Sequence, residues 1–161
     1  MREFLSWMEH SALGSFMRDS SLWTYPVINL IHILGIASLF GATLIIDLRL
    51  LGVWRRVPLA PLMQAAVPVA KTGFAVAATT GAGLLATKAS EYYGNPFLLI
   101  KFAAIAFGLL NVWMLNRSSA WRARNTRVLS AAEDRQLAWM GGISLACWLT
   151  AVTAGRMIAY W

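Results

Sequence analysis

A histidine in the middle of a long apolar run is the first residue here that could do chemistry. His32 lies in a stretch, 20–46, that holds no Asp, Glu, Lys or Arg. It falls ten residues past Leu22, roughly 15 Å along a helix at about 1.5 Å per residue. Tyr25, Asn29 and His32 share one helical stripe, at spacings of four and three. Gly35 follows one turn below and leaves space beside the ring. Polar side chains at such depth are costly and mark function by default. Neutral imidazole is a good axial ligand to haem iron, so the chemistry expected is haem b ligation, with His32 on the metal. The plainer use of His32 is a hydrogen bond to Asn29 or to a neighbouring helix.

Cations in later apolar runs could pair with haem propionates. Lys101 is the only charge between Pro96 and Asn116, and Arg156 stands near the end of the last run. Lys88 is a third cation toward the same end. With His10 and His32 the only histidines, a bis-histidine haem within the spans is excluded. A five-coordinate haem remains, or one completed by His10, Met157 or a partner. Copper is the alternative: Met8, His10 and Met17 lie near the N-terminus, and thioethers suit Cu(I). A third role needs neither, that of a small subunit packed against a larger membrane complex. No nucleophilic triad, phosphate loop or zinc motif is present. No Asp or Glu lies deep in a span, which leaves a carboxylate proton relay without parts.

The elements that must position these residues are membrane helices. The chain has 161 residues, 58% hydrophobic and 13% charged, about half the charge of a soluble domain. Disorder is excluded by the apolar content. A disulfide scaffold is excluded because Cys147 is the only cysteine, and it reads as a small packing residue. A helix needs about 20 apolar residues to cross a bilayer. Four spans are expected, at about 22–46, 66–88, 96–116 and 136–159. Pro68 could sit in the first turn of the second. Helices rather than barrel strands follow from the continuity of the runs.

The net charge of +7 is mostly topology. Nine of the fourteen Lys and Arg fall in residues 47–71 and 117–135, and positive loops stay cytoplasmic. The chain should therefore enter an inner membrane from outside, cross it four times and finish outside, with both termini on the periplasmic side. No soluble domain remains to form a nucleic-acid surface. Residues 2–18, with Phe4, Leu5, Met8 and Leu13 at roughly helical spacing, read as a short interfacial helix, and their charges argue against a signal peptide. Trp23, Tyr25, Tyr92, Tyr93, Tyr160 and Trp161 mark one set of span ends, and Trp54 and Trp121 the other, as in an aromatic belt. The Asp47 and Arg49 pair is expected to cap and orient the first span.

Small and polar residues lie along one side of each span. These are Lys101, Ala104, Gly108 and Asn111 in the third, and Ser144, Cys147, Ala151 and Ala154 in the fourth. The second offers Thr72, Thr79, Thr80, Gly81 and Gly83. Turned inward, these faces make an all-α membrane four-helix bundle with His32 near its centre. Such residues mostly mean close helix packing, and small residues four apart (Gly73, Ala77, Gly81; Gly142, Ala146) also permit a homodimer or a larger complex.

Particular segments carry a resemblance. His32-Ile33-Leu34-Gly35, Gly41 and Asp47-Leu48-Arg49-Leu50-Leu51-Gly52 resemble the HxxG and closing DLRLLG of an uncharacterised family of small bacterial four-span membrane proteins. The third span, from Lys101 through Asn111 to Asn116-Arg117, resembles a Lys-led helix of copper-resistance-D-like membrane proteins. A histidine in the first helix with a lysine opening a later one is similar to the HemJ-type protoporphyrinogen oxidases. That last likeness implies a haem-linked site, with His32 and Lys101 as its essential pair.

Overall fold

The computed structural model describes residues 2–19, 21–124 and 127–161. Among the described residues seven α-helices follow one another: α1 (Arg2–Glu9), α2 (Ala12–Asp19), α3 (Thr24–Leu50), α4 (Leu59–Thr87), α5 (Pro96–Arg117), α6 (Ser119–Ala123) and α7 (Ala131–Met157). Short 3-10 turns at Ala89–Tyr92 and Ile158–Tyr160 follow α4 and α7. No strand occurs among the described residues. Four helices, α3, α4, α5 and α7 with its closing turn, are long and apolar enough to cross a membrane. Their outward faces are apolar, with Leu30, Ile33 and Leu34 on α3 and Phe102, Phe107 and Trp113 on α5 all exposed. In water such a surface would be a liability, and in lipid it is the solvent-facing side. The protein is a multi-pass four-helix bundle.

Helix ends follow local chemistry. Pro58 precedes α4, and Pro68 stands inside that helix rather than in its first turn. The helix therefore begins well upstream of the charge-free stretch, which gives it bilayer length. Asn95 caps α5, its side chain accepting from the Phe97 amide at 2.9 Å with Pro96 in the first turn. Its amide also donates to the Ile158 carbonyl at 3.5 Å, tying the start of α5 to the end of α7. Ser130 and Glu133 form a capping box on α7, and Arg127 adds a forked ion pair to Glu133 at 2.6 and 2.8 Å.

The packing order explains the bundle. α3 lies against α4 along its length and also against α7, while α5 lies against α7. Glycine sets the first contact. A Cβ on Gly73 would fall 2.5 Å from the Leu39 amide nitrogen, and one on Gly35 would fall 2.9 Å from that of Ala77. The two backbones touch, as small residues allow in membranes. Gly141 does the same for α7, where a Cβ would meet Leu50 Cβ at 2.9 Å. The stripe Gly73, Ala77 and Gly81 is thus taken up by α3 of the same chain. A core of Ala42, Ile46, Leu50, Met63, Ala66, Leu115, Ala120, Trp121 and Leu137 closes the arginine-rich end. Trp121 belongs to this core, under the Arg124 guanidinium at 3.8 Å, and not to an interfacial belt.

The N-terminal segment is two helices with a break at His10–Ser11 rather than one. They fold over the end of α4. Met17 is buried with its sulfur against Gly83, and a Cβ on Gly14 would lie 3.0 Å from the Ala86 carbonyl. Arg18 donates to the Glu9 carbonyl at 2.8 Å and the Thr87 carbonyl at 3.3 Å. Glu9 accepts from the Ser90 amide at 2.7 Å and from its hydroxyl. Phe4, Trp7 and Phe16 stay exposed on the far side, the arrangement of a helix pair lying at an interface.

Candidate functional site

His32 is half-buried on α3 and faces α4. Its ring lies on Gly81, where a Cβ would come within 2.9 Å of Cε1. Gly81, then, makes the space for the imidazole. Gly35, one turn down, is used for backbone contact with Gly73 and Ala77 instead. Nδ1 sits 3.0 Å from Thr80 Oγ1, and that hydroxyl is itself 2.5 Å from the Val76 carbonyl. A helical threonine donates its hydrogen to the carbonyl four residues back. Its oxygen is then an acceptor toward the ring, and Nδ1 must carry the proton. Nε2 is left with its lone pair. An imidazole fixed through Nδ1–H to a protein oxygen is the arrangement that presents Nε2 to a metal or as a proton acceptor.

Lys101 belongs to the same region. Its aliphatic chain crosses Gly155 of α7, with Cδ, Cε and Nζ each 3.6 Å from where a Cβ would stand. The absence of a side chain there gives the lysine its path. No carboxylate pairs with Lys101 among the described residues, and its charge acts on His32. Asn29 is half-buried on the His32 stripe and makes no hydrogen bond to it among the described residues; the partner of the ring is Thr80. Arg156 does not join this group. It is exposed, donates to the Tyr160 hydroxyl at 2.7 Å and lies over that ring at 5.1 Å. His10 is exposed and held by the Ser6 carbonyl at 2.8 Å, and Met17 is packed on Gly83. Met157 lines a shallow groove with Phe97, Ile100 and Leu149, apart from His32.

Thr80 and Gly81 stood out in the sequence only as small and polar residues of the second span. Their role depends on the register of α4 against α3, 48 residues away along the chain. Asp47 also differs from expectation. It does not pair with Arg49, which reaches the Val57 carbonyl at 2.8 Å and the Arg55 carbonyl at 3.2 Å and so ties the turn after α3. The Asp47 carboxyl turns into the bundle, 3% exposed, with the Ser144 hydroxyl of α7 directed at it.

A family model for a family of unknown function, DUF6644, matches residues 4–161. The chain belongs to that family. The match runs through all four spans and most of the N-terminal helix pair, so the bundle and its lid are one unit of the family. No curated protein and no solved structure matches the chain.

Proposed function

We propose that this chain is an inner-membrane haem-b-binding protein, working in electron transfer or in a porphyrin-linked oxidation, with His32 as axial ligand. The observation that carries the reading is the chain of hydrogen bonds from His32 through Thr80 to Val76. It favours the neutral form of the ring that leaves Nε2 free for iron. Thr80 acts as the outer partner that histidine ligands regularly have. Lys101, unpaired by any carboxylate among the described residues, supplies a positive charge for a propionate. Asn29 and the open edge of His32 lie on the same flank of α3. Among the described residues His32 would hold the iron and Lys101 would meet a propionate. Bound haem would supply one-electron chemistry; the protein's own part is to orient the imidazole, balance charge and keep water away.

The orientation belongs to the same proposal. The basic residues cluster in the α3–α4 turn and between α5 and α7, which supports cytoplasmic turns there and both termini in the periplasm.

The test is an absorption spectrum of detergent-purified protein from haem-replete cells, oxidised and then dithionite-reduced, beside His32→Ala. A Soret band with sharp reduced α and β bands, lost in the variant, is the expected result. A featureless spectrum, with no haem by pyridine haemochrome, overturns the reading. Copper found by elemental analysis in such a haem-free preparation would turn the assignment to metal transport.

A further inference from the structure

Among the described residues, Asp47 is the only ionisable side chain in the buried class. It stands three residues before the end of α3, on the interface with α7. Gly141 brings the two helices together there, since a Cβ on it would lie 3.1 Å from the Asp47 carbonyl. Side chains on a helix lean toward its N-terminus, so the carboxyl points from the arginine-rich end toward the membrane interior. The Ser144 hydroxyl meets it, and Oδ2 is buried with no hydrogen-bond partner.

Among the described residues no cation pairs with this carboxyl. Arg49, two residues on, is committed to the carbonyls of Val57 and Arg55. From α7 the facing groups are Ser144 and the Cys147 thiol. α4 contributes Met63 and Ala66 to the adjoining core, and its Lys71 is exposed. On α5, Asn111 is buried and gives its amide to the Met140 carbonyl at 2.9 Å, while Arg117 stacks on Trp113 at 4.3 Å. One turn beyond Ser144, the Trp148 indole N–H is also buried without an acceptor. An unpaired buried carboxylate is far too costly to persist; it is neutralised by taking up a proton.

We propose that Asp47 and Ser144 form a buried proton-binding site, filled from the arginine-rich end. In the filled site Asp47 is a carboxylic acid, with Ser144 donating to one oxygen and the proton on the other. Release leaves a carboxylate in the bundle and a proton in the water at the α3–α4 turn, one helical turn away. This site is separate from His32 and stands whether or not haem binds there.

The experiment is infrared spectroscopy of the full chain in lipid bilayers at neutral pH, in H2O and then D2O. The expected result is a carboxylic-acid carbonyl band that shifts on deuteration, is lost in Asp47→Asn and is kept in Asp134→Asn, an exposed acid. Ser144→Ala retains the carboxyl and removes its donor, so there the band should persist and move to higher wavenumber. That variant keeps the test informative if Asp47→Asn folds poorly. No such band at neutral pH, or a band untouched by both variants, overturns the proposal. A band that does not shift in D2O overturns the exchange with water.

Discussion

His32 Nδ1 lies 3.0 Å from Thr80 Oγ1, and the threonine hydrogen is already given to the Val76 carbonyl. The proton in that contact therefore belongs to the ring. Nitrogen-15 spectra of histidine-labelled protein should show His32 neutral and protonated on Nδ1. In Thr80→Val the preference should be lost, and any haem bound should be held about 10- to 100-fold less tightly. His32 protonated on Nε2 in the unaltered protein would contradict the assignment.

Gly81→Ala tests the same ring from its other side. The new Cβ would meet Cε1 at 2.9 Å, and the imidazole can give way because it is a side chain. The His32 resonances and any haem spectrum should change. Thermal unfolding should move little, because no backbone is displaced.

Gly73→Ala acts on the backbone contact itself. Its Cβ would stand 2.5 Å from the Leu39 nitrogen and 2.8 Å from the Gly35 oxygen, so α3 and α4 must separate. A loss of about 1–3 kcal/mol is expected, the usual cost of overpacking. Gly41→Ala is the control, since nothing lies within 4 Å of its added Cβ; it should be neutral or slightly stabilising. Unfolding curves of the two variants in one detergent would compare them directly, and equal losses would show that the close contact is not what holds the pair.

Glu9 fastens the N-terminal helices in a pH-dependent way. Hydrogen bonds from the Ser90 hydroxyl and amide hold its carboxyl below the ordinary carboxylate value, with Arg18 and His10 helping. A group whose value is lowered by folding stabilises the fold above the ordinary value, near about 4.3. That help fades as pH falls through the lowered one. Limited proteolysis at Arg18 should be slow at neutral pH and faster in acid. Glu9→Gln should be cleaved readily at both, and an unchanged cleavage rate would show that the bond to Ser90 does not hold the lid.

Most of the scaffold could be read from the chain, because lipid demands long apolar helices and charges crowd their ends. The inner face of α5 was legible too: Ala104, Gly108 and Asn111 are buried at helical spacing, with Lys101 half-buried above them. The partner of His32 was not, since finding Thr80 requires the relative rotation and register of two helices far apart in sequence. Gly35 and Gly81 traded expected roles for the same reason. Asp47 was misread because a carboxylate beside an arginine at a span end looks like an interfacial pair. Only the rotation of α3 against α7 shows that the two side chains part. The break between α1 and α2 went unseen because Phe4, Leu5, Met8 and Leu13 keep a helical spacing across it.

The lid has a consequence for the order of assembly. Glu9 and Arg18 grip Ser90 and Thr87, residues made some seventy to eighty positions later. At roughly 5–20 residues per second, the first two helices spend several seconds with no docking surface. Only when the second span has been synthesised and seated does their receptor exist. The start of the chain thus settles only after the second span, a latch that closes on a finished hairpin and that a misinserted hairpin would leave open to proteases.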